Sequence, residues 1–335
     1  MRPRGFSLSL VALLVLMCSL SSFGATKDQE KYSVNRRDKI FGLHFTDEKC
    51  GCAVGDMGLI LTTEDGGETW TKLEPVTNCS LNDIAFIDQS GWAVGDNGTI
   101  LQTQNGGKNW EAQASNSDSS LFSVSFWDRQ RGVVVGERGT VLLTEDGGSS
   151  WQDSSLDWTQ IIPESLMADG ILALNLYDVF FTDGEHGWVV GDSGVVLFTG
   201  DGGKSFNVLR IGTYPPLYSV FFQTDEMGWV TGGGGSFFLT RDGGKTWEEQ
   251  TLPTKANLFK ITMSDDIGAI VGDLGTVFQT KDGGKNWSFV KLDLRLPLPW
   301  FLDASIVKHN SPGEIVFGGQ GLIRKYSEQE QEEKP

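Results

Sequence analysis

The residues best suited to chemistry in this sequence sit in glycine-rich strings. Gly191-Asp192-Ser193-Gly194 sets a hydroxyl between glycines, as the signature around a nucleophilic serine does. Gly232 to Gly235 followed by Ser236 has the glycine content of a phosphate-cradling loop, but it lacks the lysine and the strand-loop-helix setting. Asp alternates with Gly around Asp65, Asp146, Asp201, Asp242 and Asp282, which invites a calcium reading. Calcium takes roughly six to eight oxygens, and each copy offers only one or two carboxylates. Cys50-x-Cys52 with Cys79 falls short of a four-ligand zinc set, and His44, His186 and His309 share no metal-ligand spacing. The expectation is a chain without metal or cofactor.

Glycoside hydrolysis needs two carboxyl groups at about 5 Å for retention, or about 6.5–9.5 Å for inversion. Nearly all carboxylates here fall at repeated turn positions. Glu164, Asp169 and Asp303 depart from the repeat, but nothing in the sequence groups them. No catalytic residue is assigned.

The elements behind these strings form a repeat. Aligning the glycine of G-D-x-G brings Gly55-Asp56-Met57-Gly58, Gly95-Asp96-Asn97-Gly98, Gly136-Glu137-Arg138-Gly139, Gly191 to Gly194, Gly232 to Gly235 and Gly272-Asp273-Leu274-Gly275 into register. A degenerate seventh copy is Gly318-Gly319-Gln320-Gly321. Subtracting successive first glycines gives steps of 40, 41, 55, 41, 40 and 46 residues, close to the length of one four-stranded propeller blade. Register also answers the serine: Met57, Asn97, Arg138 and Leu274 stand where Ser193 does, so a turn residue is the better reading.

Within a copy, Leu81 to Ile87, Trp92 to Gly95 and Thr99 to Thr103 read as strands, and Trp110 opens a fourth. They are short, rich in β-branched and aromatic residues, and bounded by Gly and Asp. Between third and fourth strands lies a second signature, an Asp-box, as in Thr63-Glu64-Asp65-Gly66-Gly67-Glu68-Thr69-Trp70. Its structural residues are Asp65, Asn105, Asp146, Asp201, Asp242 and Asp282. Each can accept backbone N–H groups within its own turn, and the glycines permit the backbone path. The following aromatic, Trp70, Trp110, Trp151, Phe206, Trp247 or Trp287, packs between sheets.

The fold class expected is therefore all-β, a seven-bladed β-propeller of four-stranded antiparallel blades over residues 25–327. The seventh copy lacks a box and a fourth strand. Lys31 to Arg36 precedes Phe41 by about the interval that separates Trp70 from Leu81, and Tyr32 and Val34 alternate suitably. This predicts that the N-terminal strand completes the last blade and closes the ring.

The flanks and the charge bound location and partners. Arg2 and Arg4 precede the apolar run Leu8 to Leu20, and Ser22-Phe23-Gly24 suits cleavage, so residues 1–24 read as a signal peptide. Cys18 ends the run, but Leu16 and Met17 are bulky where a lipidation site takes small residues. Residues 328–335 form a charged tail. With 27 basic and 44 acidic residues, a net −17, the chain lacks the clustered positive charge of a nucleic-acid binder. The expectation is an exported monomer, periplasmic or thylakoid-lumenal, without a membrane span in its mature part.

Departures from the repeat point to partner binding. The third step carries about fifteen extra residues, Asp153 to Leu174, with Trp158 and Ile162. The next linker holds Arg210 and Tyr214, and the sixth holds Arg295 and Trp300. In a four-stranded meander these linkers emerge on the face that carries the turns of Asp56, Asp96, Glu137, Asp192 and Asp273. A face of Trp, Tyr, Leu and Arg suits protein recognition. The bland alternative is that the insertions seal the propeller's own apolar ends.

The strings F-x-D…G-W-x-V-G-D-x-G…T-x-D-G-G-K-x-W, as from Phe181-Thr182-Asp183 through Gly187-Trp188 to Lys204, resemble the photosystem II assembly and stability factor family of propellers. The resemblance covers residues 30 to 327. It implies a non-catalytic scaffold that binds a membrane-protein subunit or other envelope protein. Photosynthetic members use an arginine-rich face, whereas Arg129, Arg131, Arg138, Arg210, Arg241, Arg295 and Arg324 are scattered in this sequence. The alternative class is an Asp-box glycoside hydrolase, sialidase- or glucanase-like, or a carbohydrate-binding propeller. No F-R-I-P string of a sialidase is present.

Overall fold

The computed structural model describes residues 31–154, 156–162, 167, 172–307 and 313–327. The expected signal peptide, Cys18, Glu164, Asp169, His309 and the charged tail lie outside the described residues. Seven antiparallel sheets follow one another along the chain as a β-propeller. Their inner strands are Ile40–Phe45, Leu81–Ile87, Leu121–Phe126, Leu176–Phe181, Leu217–Phe222, Leu258–Ser264 and Phe301–Val307. In the second blade the strands Ser90–Gly95, Ile100–Thr103 and Glu111–Gln113 follow outward. Trp158–Ile161 is a single helical turn, started by the Asp157 carboxylate accepting Thr159 N–H.

Each second strand is buried on both sides, as in Gly187–Gly191, because a neighbouring blade covers each face of the sheet. That requirement explains the apolar run G-W-V-V-G, which does not alternate. Tryptophans in these strands tie blades together. Trp92 stacks on Phe126 of the next inner strand at 3.5 Å and donates to Gly147 O at 2.9 Å. Trp188 repeats the arrangement with Phe222 and Gly243 O.

The turn before each outer strand is closed by its own side chains. Asp65 Oδ1 accepts from Thr63 Oγ1 at 2.8 Å and from Thr69 N at 2.9 Å, while Gly67 N donates to Thr63 Oγ1 at 3.0 Å. The same bonds recur at Asn105, Asp146, Asp201, Asp242 and Asp282. Such bonds stabilise the ionised carboxylate and hold Asp282 at about 2. The threonine is the hub: Thr199 is fully buried and accepts Gly203 N at 2.9 Å. Thr199→Val keeps the shape but leaves that buried N–H unpaired. It should cost about 1–3 kcal/mol, read as a lower urea midpoint with an unchanged m-value.

The expected closure is corrected by the sheet topology. The seventh blade keeps three strands, Phe301–Val307, Glu314–Gly319 and Leu322–Tyr326. Lys31–Tyr32 pairs instead with Trp70–Lys72, adding a fifth strand to the first blade. The partners of Tyr32 explain the choice. Its ring lies under Lys72, its hydroxyl donates to Asp38, and it joins Val34 against a cluster holding Trp70, Val307 and Val316. The N-terminal segment thus wedges the seam between first and last blades without extending the last sheet. Closure itself falls to contacts spanning the whole chain. Leu43 N donates to Asp303 Oδ2 at 2.6 Å, Gly321 N to Asp38 O at 2.8 Å, and Lys325 bridges Glu314 and Glu68.

Candidate functional site

The blade-to-blade linkers and the turns between second and third strands share one face, here the linker face. Asp56 N donates to Lys39 O, Asp192 N to Asn175 O and Asp273 N to Asn257 O, each tying a turn to the residue that enters an inner strand. Ser193 takes φ 56, matching Met57, Asn97, Arg138 and Leu274 at the same turn position. It is a turn residue, at a position where these other blades carry side chains without a hydroxyl.

Exposed apolar side chains concentrate on this face. Among the described residues the exposed large hydrophobics are Met57, Val76, Leu172, Tyr214, Leu274, Leu296, Leu298 and Phe289. All but Phe289, which sits on an outer strand, belong to linkers or to these turns. Tyr214, at 85% exposed, reaches furthest into solvent. Inside this rim the inner strands contribute a row of half-buried rings: Phe122, Tyr177, Tyr218 and Phe259 follow one another at 5.7, 5.4 and 5.3 Å between centroids.

The residues proposed for partner contact separate into two groups. Trp158 is half-buried and lies against Gly139, while Ile162 is only 3% exposed and packs with Val135, Val141 and Leu176. This part of the long insertion seals the propeller, and Ile162 presents no surface. Trp300 is half-buried and stacks on Phe41 at 6.1 Å. Tyr214 and Arg295 are exposed, and Arg210 ends the strand Asn207–Arg210, its side chain lying outside those described. The packing of Trp158 gives a direct test. A Cβ on Gly139 would lie 1.9 Å from the Trp158 ring, at φ 73. Gly139→Ala should expel the indole, red-shift tryptophan emission and cost about 1–3 kcal/mol.

Beside Arg295 the structure assembles a cavity of about 420 Å³ at the seam of the last and first blades. Arg36, Arg295 and Arg324 line it together with Leu296 and Pro297. Arg324 Nη1 donates to Asp293 O at 3.3 Å, which fixes one guanidinium at the wall. Residues scattered along the sequence thereby form a cationic, partly apolar cleft on the linker face.

The central channel holds a polar ring that sequence reasoning missed. The third residue of each inner strand, after a bulge, is Gly42, Asp83, Ser123, Asp178, Ser219, Lys260 or Asp303. Asp303 therefore sits in register with Asp83 and Asp178 and does not break the repeat. A bulge frees an N–H from its own ladder, and the preceding blade caps it. Asp83 accepts Val124 N, Asp178 accepts Val220 N, and Asp303 accepts Leu43 N; Ser123 and Ser219 do the same for Val179 and Ile261. The available signal was a charged residue in an apolar inner strand, as in Leu81-Asn82-Asp83-Ile84 and Leu258-Phe259-Lys260-Ile261.

The ring has an unusual charge balance. Lys260 Nζ lies 3.4 Å from Asp178. Burial would lower its pKa, but Asp178, Asp303 and Asp83 outweigh that and raise it. Burial pushes Asp303 up to about 7 against the pull of Lys260, and it raises Asp83 likewise. Ser123 Oγ lies 2.9 Å from both Asp83 and Asp178. One hydroxyl hydrogen cannot serve two carboxylates, so Ser123 donates to only one of them at a time. Burial and then the Lys260 charge hold His44 at about 4, so it is neutral at pH 7. These groups line a channel cavity of about 280 Å³. Their oxygens are spent on backbone N–H groups and the ammonium, which makes this a structural ring.

Among the described residues no His, Cys, Asp and Glu group is arranged for a metal, and Cys50, Cys52 and Cys79 are free thiols. No described helix is long and apolar enough to cross a membrane.

The sequence matches the family model described as photosynthesis system II assembly factor YCF48 over residues 23–117, 109–169 and 205–308. A solved structure of YCF48 bound to D1 peptide is similar at TM-score 0.67 and 20% identity, covering 89% of this chain and 96% of that one. YCF48 from Cyanidioschyzon merolae is similar at TM-score 0.66 and 19% identity, covering 90% and 99%. The GH74 xyloglucanase from Xanthomonas campestris shares the propeller fold at TM-score 0.69 and 13% identity, covering 88% of this chain and 53% of that one. No curated protein matches the sequence.

Proposed function

Because the chain belongs to the photosynthesis system II assembly factor YCF48 family, we propose that it is a non-catalytic scaffold whose linker face receives a segment of a membrane-protein subunit. The observation that carries this reading is that exposed Tyr214, Leu274, Leu296 and Met57 share one face with the arginine-lined cleft. Exposed apolar groups sharing a face with a cationic pocket are the ingredients of a protein-recognition surface. The relative solved with a D1 peptide binds a segment of a protein, in line with this use of the fold. The scaffold acts outside the cytoplasm, delivered by the export signal read over residues 1–24.

Affinity capture of the tagged mature protein from native envelope membranes tests the proposal. A membrane-protein subunit should be enriched, and Tyr214→Ala/Arg295→Ala should lose it without changing the melting temperature. Equal capture by the double variant would move the contact to another face.

The GH74 likeness favours a second reading, a polysaccharide hydrolase. Turnover of xyloglucan or a β-glucan, abolished by one carboxylate substitution, would establish that reading and end the scaffold proposal.

A further inference from the structure

The fifth blade differs from its neighbours on the linker face. Where the others carry an acid or a bulky residue, its turn is Gly233-Gly234-Gly235. Gly234 has φ 65, and a Cβ there would meet nothing within 4 Å. The turn is therefore a bare opening in the rim. It is held open by packing: Gly233 abuts Pro215 and Pro216, and Gly234 N donates to Asn257 Oδ1 at 3.0 Å.

Inward of this opening lies Tyr218, the fifth blade's contribution to the aromatic row. Tyr177 and Phe259 flank it at 5.4 and 5.3 Å. Asp192 stands in the turn on one side and Asp273 in the turn on the other. Burial, then the charges of Asp192 and Asp273, raises the Tyr218 phenol, so both carboxylates act on this ring. The hydrogen-bond partners of both acids are neutral: Tyr177 and Asn175 hold Asp192, and Asn257 holds Asp273. By contrast, Asp56 is paired with Lys39 and Glu137 with Arg138. The aromatic floor thus has two flanking carboxylates that form no ion pair among the described residues, while exposed Lys255 stands behind the Gly235 end of the turn.

We propose that this notch docks a basic segment of a partner protein, with an arginine or lysine lying over Tyr218 between Asp192 and Asp273. The chemistry is complementary at each level. An aromatic face attracts a cation through its quadrupole, and the half-buried floor limits solvent competition. The flanking carboxylates add charge-assisted hydrogen bonds, and exposed Tyr214 supplies an apolar contact beside the entrance. The inference rests on the linker face being the partner surface and adds the chemistry of what it takes.

The test uses the full mature chain and a fluorescein-labelled hexapeptide alternating leucine and arginine, followed by anisotropy. Binding is expected, weakening as salt screens the carboxylates, and the glutamate counterpart should not bind. Asp192→Asn/Asp273→Asn should weaken binding at least tenfold. Gly234→Arg should do the same by placing a resident guanidinium at the opening. That variant is expected to fold, because Arg138 occupies the same turn position at φ 54. Undiminished binding in both variants, or equal binding of the glutamate peptide, would overturn the proposal. If peptide binding fails while Tyr214→Ala/Arg295→Ala still abolishes membrane-subunit capture, the notch is wrong and the scaffold reading survives.

Discussion

Lys260→Met should destabilise the propeller by about 3–5 kcal/mol at pH 8, the cost of removing one partner from a buried ionic group. Asp178 and Asp303 are about one-twentieth exposed, and Asp83 joins them in the channel. Lys260 is the cation whose charge acts on Asp83 and Asp303 and which hydrogen-bonds Asp178. Methionine fills the space of the lysine stem without the charge, so packing loss is small. Two results separate this cause from a simple packing defect. The deficit should shrink as pH falls and the carboxylates protonate, and Asp178→Asn should recover part of it in the double variant. A pH-independent loss, additive with Asp178→Asn, would show that the ammonium is not what balances the ring.

Asp303→Asn should change how stability depends on pH between 4 and 7. The native carboxyl titrates at about 7, above the ordinary aspartate value near 4. The folded state therefore holds the proton more tightly, and Asp303 contributes stability that is present below about pH 4 and lost as pH rises through 7. The gap between those two values is worth on the order of 4 kcal/mol over that window. His44 has the opposite sign. Its native value of about 4 lies below the ordinary 6.5, so its contribution is present above pH 6.5 and lost as pH falls through 4. That term is worth about 3 kcal/mol. In the native chain the two oppose each other between pH 4 and 7, and Asp83, raised likewise, adds to the Asp303 side. Asp303→Asn removes one of them while keeping an oxygen to accept Leu43 N–H. Relative to the native chain, the variant should lose on the order of 4 kcal/mol on acidification from pH 7 to 4. Urea midpoints at intervals of half a pH unit would decide it; parallel profiles would refute the assignment.

Both expectations concern groups whose significance was hidden in the sequence, although the fold was legible there. The blades could be read because each repeats a local pattern with a local cause. The turn of Thr63 to Trp70 closes on its own side chains within five residues, and it recurs about every 40. The Gly191 to Gly194 turn was separable from a nucleophile for the same reason, since register supplied its equivalents. Short-range hydrogen bonding leaves a signature that sequence spacing preserves.

The closing strand, the channel ring and the cationic cleft depended on encounters between distant residues. Lys31 to Arg36 had the length and alternation to complete the last blade. Yet Tyr32 found better partners in Trp70, Lys72 and Asp38, and spacing cannot compare two sheet edges. Asp303 meets Leu43 across 260 residues, and Arg36 shares a cleft with Arg295 and Arg324 only because the ring closes. Ile162 could as well have been exposed or buried, and the apolar gap beside Val135 and Leu176 decided that it is buried. Hydrophobic pattern thus specified the blade seven times over, and the Asp-box turn six times. The circular arrangement then chose the partner of each charge, because a carboxylate in an apolar strand takes its meaning from the neighbouring blade.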